Sequence, residues 1–204
     1  MQAILSLGLG YLIGSISPAT FVSKRHHVNL QEVGTKNLGA TNTAYVLGKA
    51  AGIFVMVVDM AKSFFSYRLA KWMFPQLVIA GLLAGFGAIL GHCFSAFHHF
   101  QGGKGLASFG GLILAYDVWV FLGILIPGLI LMAILNTGVA MPMLASVLFP
   151  IAVYIKSKSV LLLLAAGLSG VLILLMHRDN LHRFLSGEDK LPVRDFFKKV
   201  LPGK

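Results

Sequence analysis

The side chains most able to do chemistry sit in one stretch, 91–111, which reads GHCFSAFHHFQGGKGLASFGG. Within it, Gly102-Gly103-Lys104-Gly105 joins flexible backbone to a cation. Glycines let consecutive N–H groups converge on an anion, and a lysine in the same turn adds a full positive charge. The residues from Leu106 onward are apolar, so the turn is expected to open a helix whose partly positive N-terminus faces the same point. That combination suits a phosphate at a membrane surface. A nucleotide-binding P-loop is excluded. Its pattern needs a glycine five residues before Gly103 and Ser or Thr after Lys104, where the chain has His98 and Gly105. The same glycines also suit close helix packing, with Lys104 marking a membrane boundary. From this stretch alone both readings stand.

Two further polar segments carry candidate ligands. Residues 34–42 read GTKNLGATN, in which Thr35, Asn37, Thr41 and Asn42 surround Gly39. Neutral donors on bendable backbone suit the oxygens of a phosphate or a polyol. An ordinary turn, with Thr41 or Asn42 capping the next helix, would use the same residues. Further on, His177-Arg178-Asp179-Asn180 precedes Gly187-Glu188. His177 and Asn180 are i and i+3 and share a face if a helix runs through them. Histidine exchanges a proton near neutral pH, and asparagine can orient a hydroxyl. Arg178 and Arg183 read as anchors that snorkel to lipid headgroups.

These segments punctuate a chain of 204 residues that is 57% hydrophobic and 12% charged, with a mean hydropathy of +0.83. Its apolar stretches approach the ~20 residues that a helix needs to span a bilayer. Period-2 alternation is missing, which excludes a membrane barrel. The expected fold is an all-α polytopic membrane protein, a single domain over 1–204. About seven transmembrane helices are expected, near 1–22, 44–67, 77–97, 106–115, 118–135, 143–155 and 160–176, with a basic tail over 177–204. The first segment has no basic leader and no A-x-A site, so it is expected to be a retained helix. Gly81/Gly85 and Gly87/Gly91 give the third helix two small-residue faces for close contact. Asp59 and Lys62 are i, i+3 in the second helix, where ionisable groups are costly unless paired. An ion pair is expected there rather than a proton relay.

Basic residues set the orientation. Lys24, Arg25, Lys36, Lys49 and Lys104 fall on one side with Arg178, Arg183, Lys190, Arg194, Lys198, Lys199 and Lys204 of the tail. Arg68, Lys71, Lys156 and Lys158 fall on the other. The positive-inside rule then puts the N-terminus outside, and both glycine-rich loops and the tail in the cytoplasm. The net charge of +10 follows from topology and anionic headgroups, and no nucleic-acid partner is expected. Cys93 is the only cysteine, so no intramolecular disulfide can form. No feature asks for a metal or another cofactor.

Together the segments resemble the bacterial integral-membrane glycerol-3-phosphate acyltransferases that use acyl phosphate as donor, the PlsY family. The resemblance covers nearly the whole chain. It rests most on Asn37-Leu38-Gly39-Ala40-Thr41-Asn42, on His92 followed by Gly102-Gly103-Lys104-Gly105, and on His177-Arg178-Asp179-Asn180 with Gly187-Glu188. It implies acyl transfer from acyl phosphate to the 1-hydroxyl of glycerol 3-phosphate, giving lysophosphatidic acid and phosphate. Lys104 and the 102–105 amides would clamp phosphate. Thr35, Asn37, Gly39, Thr41, Asn42 and Glu188 would contact substrate, and His177 and Asn180 would orient the acceptor. His177 or the substrate's own phosphate would take the proton. Membrane lipids, and an enzyme that produces acyl phosphate, are the implied partners. Three positions depart from the family pattern: Lys36 replaces a glycine, Tyr45 an arginine, and 137–143 lacks the usual base and serines. Two other functions stay open: a silent or altered paralogue that binds lipid phosphate or a partner enzyme, and a small transporter.

Overall fold

The computed structural model describes residues 1–188 and 193–200; Lys190 and Lys204 of the basic tail lie outside the described residues. Every regular element among the described residues is a helix, in the order α1 (Gln2–Gly14), α2 (Pro18–Arg25), α3 (Ala40–Leu47), α4 (Lys49–Met73), α5 (Ala80–Cys93), α6 (Leu106–Tyr116), α7 (Val118–Leu135), α8 (Ala140–Ser157), α9 (Val160–Leu185) and α10 (Val193–Val200). Five stretches are long and apolar enough to cross a membrane: Gln2–Arg25, Lys49–Met73, Val118–Leu135, Ala140–Ser157 and Val160–Leu185. Ala80–Cys93 and Leu106–Tyr116 are apolar but shorter.

Several expected helices are divided or shifted, each for a local reason. The first is broken at 15–17, because Pro18 starts a new helix whose N-cap, Ser17, accepts the Thr20 N–H through Oγ at 3.2 Å. The second begins early, at Ala40, and is interrupted at Gly48, whose φ of 90° only glycine adopts readily. Neither Thr41 nor Asn42 caps it, since the N-cap position is Gly39. The third is trimmed to Ala80–Cys93 by a turn at 74–77 and by Ser95, whose Oγ–H donates to the Ser15 carbonyl at 2.7 Å. The last continues through His177 to Leu185.

The chain forms two compact units, Met1–Tyr116 and Asp117–Lys204. In the first, α5 packs against α1, α4 and α6. The expected glycine faces make these contacts. A Cβ at Gly87 or Gly91 would strike the Leu7 or Tyr11 carbonyl of α1, and one at Gly10 or Gly14 would strike Ala84 or Ala88 of α5. On other sides Gly81 meets the Tyr67 ring and Gly85 meets Leu112. Helices this close gain dispersion contacts that lipid cannot supply, which is how small residues drive association in membranes.

In the second unit α8 packs against both α7 and α9. Asp117 caps α7 by accepting the Trp119 and Val120 N–H groups at 2.8 and 2.9 Å, and it pairs with Lys156 at the end of α8. The Lys156 hydrogen bond, followed by that from the Val120 N–H, holds the Asp117 carboxyl below the usual carboxylate range. At the other end Asn136 closes α7 in a left-handed conformation and takes the Val193 and Arg194 N–H groups that start α10.

The α1–α5 seam generates a direct test. Gly91→Val should lower the midpoint of thermal unfolding, through overpacking that costs about 1–3 kcal/mol or more. Gly123→Ala, whose methyl meets nothing within 4 Å, should hold or slightly raise it. Equal responses from the two variants would show that the seam is not limiting.

Candidate functional site

The first glycine-rich loop hangs on Asn42, which is 1% exposed. Its Oδ1 accepts the Thr35 N–H at 2.7 Å, and its Nδ2 donates to the carbonyls of Leu30, Asn37 and Val33 at 2.8, 3.0 and 3.2 Å. Both ends of the amide are therefore engaged within the loop. Buried Leu30 and Leu38 pin the same loop to Ala19, Val22 and Val55. Thr35, Lys36 and Thr41 are exposed at its rim, while Asn37 and Gly39 are half-buried. Lys36 has φ of 56° and Gly34 of 63°. The chain therefore does require left-handed backbone at the position where lysine replaces glycine.

The second loop is folded against the end of α5. The Gly103 N–H donates to the His92 carbonyl at 3.1 Å. A Cβ at Gly102 would strike that carbonyl, and one at Gly103 would strike His92 Nε2. Gly105, at φ of 81°, turns the chain into α6, where its carbonyl accepts the Phe109 N–H at 2.8 Å. The helix expected after the turn thus begins at Leu106, with Lys104 half-buried just before it.

The two loops adjoin within the first unit. A Cβ at Gly103 would lie 2.8 Å from the Leu38 carbonyl, and Gln31 Nε2 donates to Gln101 Oε1 at 2.6 Å. Beside them His98 Nδ1–H donates to Ser95 Oγ at 3.0 Å, the Ser95 hydroxyl proton being given to Ser15. Burial first, then the Lys24 charge, pushes the His98 imidazole below its usual range, so it is neutral at pH 7.

A buried cluster lies behind the second loop. Asp59 Oδ1 meets Lys62 Nζ at 2.8 Å and His92 Nδ1 at 3.1 Å. Lys62 Nζ also donates to the Ile16 carbonyl at 3.0 Å and lies 3.0 Å from His92 Nδ1. The expected Asp59–Lys62 ion pair is present, and His92 completes it. His92 was not among the expected site residues, although an ionisable group inside an apolar helix is itself a signal.

His177, Asn180 and Glu188 belong to the second unit. α9 runs unbroken through the first two, so they do share a face. His177 is 5% exposed and donates Nδ1–H to the Ile173 carbonyl at 2.9 Å, which makes Nε2 the accepting edge of the neutral ring. Asn180 Oδ1 accepts from Arg183 Nη2 at 3.1 Å. Glu188 is exposed, and its N–H closes the end of α9 onto the Arg183 carbonyl at 2.8 Å. In the divergent segment Thr137 Oγ1 accepts the Val139 N–H at 3.3 Å.

Comparison with known proteins bears on what this arrangement serves. The family model described as glycerol-3-phosphate acyltransferase matches residues 4–187. The glycerol-3-phosphate acyltransferase of Lactiplantibacillus plantarum is 34% identical, over 94% of this chain and 92% of that protein. The one from Macrococcus caseolyticus is 36% identical, over 93% and 96%. Among solved structures, the glycerol 3-phosphate form of PlsY (YgiH), an integral membrane glycerol 3-phosphate acyltransferase, has a TM-score of 0.85 at 29% identity, over 92% of this chain and 94% of that one. Its lysophosphatidic acid form has a TM-score of 0.86 at 27% identity, over 97% and 99%. An all-helical, multi-pass membrane protein, this chain belongs to the glycerol-3-phosphate acyltransferase family.

Proposed function

We propose that the protein transfers an acyl group from acyl phosphate to the 1-hydroxyl of glycerol 3-phosphate, forming lysophosphatidic acid and inorganic phosphate. The observation that carries this reading furthest is the adjoining pair of glycine-rich loops, with Lys104 and the N-terminus of α6 at their junction. An acyl phosphate is an activated mixed anhydride, so no covalent enzyme intermediate is needed. The acceptor hydroxyl attacks the carbonyl carbon, and the carbon–oxygen bond to phosphate breaks with its electron pair going to the phosphate. The hydroxyl proton passes to His177 Nε2 or to a substrate phosphate oxygen. What the protein must supply is alignment of two anions and stabilisation of charge on the leaving phosphate.

Lys104 and the turn 102–105 form the phosphate clamp in this reading. The Gly103 N–H is engaged by His92. Gly103 therefore contributes closeness of approach, while Lys104 and the amides of Gly102 and Gly105 meet the anion. Thr35, Asn37, Gly39 and Thr41 line the polar side of the pocket, and Asn42 acts by shaping their loop. Asn180 and His177 orient the acceptor, and Glu188 completes the substrate-contacting set.

The finer topology belongs to the same reading: seven spans, one functional domain over 1–204, the N-terminus outside, and both loops and the basic tail in the cytoplasm. The distribution of lysine and arginine supports it. Acyl chains then enter from the bilayer, and an acyl-phosphate-producing enzyme is the natural partner at the cytoplasmic surface.

Two measurements test the assignment. Purified protein in lipid, given acyl phosphate and glycerol 3-phosphate, should form lysophosphatidic acid. In Lys104→Ala, kcat/KM should fall about 30- to 1,000-fold, the range expected when one partner of a charge-assisted contact is lost. Unchanged turnover in that variant would remove Lys104 from the clamp. Lys36 separates charge from backbone strain. Lys36→Gly should stabilise the fold by about 0.5–1 kcal/mol by relieving the left-handed backbone, yet raise the KM for the anionic substrates several-fold by removing a rim cation. An unaltered KM would show that Lys36 adds nothing to substrate binding.

A further inference from the structure

The mechanism above makes no use of the most expensive group of side chains in the first unit. Asp59 and Lys62 are 1% and 7% exposed, inside α4, a helix long and apolar enough to cross a membrane. Asp59 Oδ2 has no hydrogen-bond partner among the described residues. Replacing a buried ion pair with apolar side chains is often neutral or stabilising, so stability alone is a weak account of this cluster. Its contacts point elsewhere.

We propose that His92 is a positioning residue for the turn 102–105, and that Asp59 and Lys62 serve to fix its ring. His92 Nδ1 lies 3.1 Å from Asp59 Oδ1 and 3.0 Å from Lys62 Nζ, so the ion pair grips that edge of the ring in either tautomer. The opposite edge of the ring, at Nε2, abuts Gly103. The His92 carbonyl meanwhile takes the Gly103 N–H at 3.1 Å and leaves no room for a side chain at Gly102. His92 thus holds the turn by ring and backbone together. Lys62, tied to the Ile16 carbonyl where the first helix breaks, anchors the cluster to a second element. The arrangement follows the logic by which a carboxylate behind a histidine sets the orientation of its ring. Here the recipient is a loop.

The inference rests on 102–105 being the phosphate turn, and two readouts keep the two ideas apart. The first is the kinetic split in protein that turns over. His92→Ala should raise the KM for glycerol 3-phosphate about tenfold or more while kcat changes less than about threefold. His92→Gln, whose terminal amide reaches close to where Nε2 sits, should recover part of that loss. The second readout needs no turnover. In His92→Ala the amides of 101–105 should exchange hydrogen about tenfold faster or more, with those of α1 and α5 unchanged. The paired replacement Asp59→Asn with Lys62→Met should move the same amides, and adding it to His92→Ala should bring little further change. A folded His92→Ala protein with wild-type KM or wild-type exchange in 101–105 would overturn the proposal. So would a loss confined to kcat, a glutamine variant no better than alanine, or fully additive effects. Unfolding of every variant would assign the cluster to stability and overturn it equally. Wild-type protein without turnover would count against the acyltransferase reading, while amide exchange would still decide on His92.

Discussion

Away from water, every unpaired polar group in a membrane helix costs several kcal/mol, and much of the first unit is arranged by that one constraint. Breaking the first helix at 15–17 leaves carbonyls that the helix no longer satisfies. Lys62 takes the one from Ile16, and Ser95 takes the one from Ser15. A buried ammonium then needs a counter-charge, which Asp59 supplies one turn away at 2.8 Å. The carboxylate in turn draws in the His92 ring. Each step answers the group before it, Asp59 through Oδ1 alone, and the series ends at Gly103. The break between α1 and α2 and the shape of the loop between α5 and α6 are therefore parts of one network.

That network can exist only if α1, α4 and α5 approach closely, and the glycines make this possible. α5 is short, at 14 residues, and is buried on several sides. It has no need to satisfy lipid along its whole length, because α1, α4 and α6 surround it. Small residues at 81, 85, 87 and 91 allow three different neighbours to press against one short helix. Side chains at those positions would push the neighbours outward and leave Asp59 and Lys62 in a looser, wetter setting.

Much of this was legible in the sequence where the signal was local. α7 begins and ends where the apolar run does, at Val118 and Leu135, because Asp117 and Asn136 mark its ends. The glycine faces of α5 and the Asp59–Lys62 spacing were equally readable, since both follow from helical periodicity. Tertiary partners were not. Proline within an apolar run is compatible with an unbroken membrane helix, so the division at 15–17 shows only once the Ile16 carbonyl has found Lys62. α9 outruns its apolar stretch because backbone hydrogen bonds continue after hydropathy fades. Asn42 has the residue type of a ligand donor, and only the folded loop reveals four backbone partners for its amide. His92 is legible as part of a motif but its role is not, since its partners come from another helix and from a loop ten residues on.

The departures at Lys36 and Tyr45 can be weighed against this architecture. The loop takes its shape from Asn42, Leu30 and Leu38, and none of these contacts involves the side chain of residue 36 or 45. A lysine at φ of 56° costs roughly 1–2 kcal/mol relative to relaxed backbone, a strain that the hydrogen bonds of Asn42 are well able to hold. In exchange the exposed rim gains a cation on the loop that leads into α3, the helix that lacks the family's usual arginine at 45. Charge at a rim is mobile and partly screened, so such a relocated cation steers anions more than it binds them. Tight phosphate binding then falls more heavily on Lys104 and the turn beside it, which is the segment that His92 holds in shape.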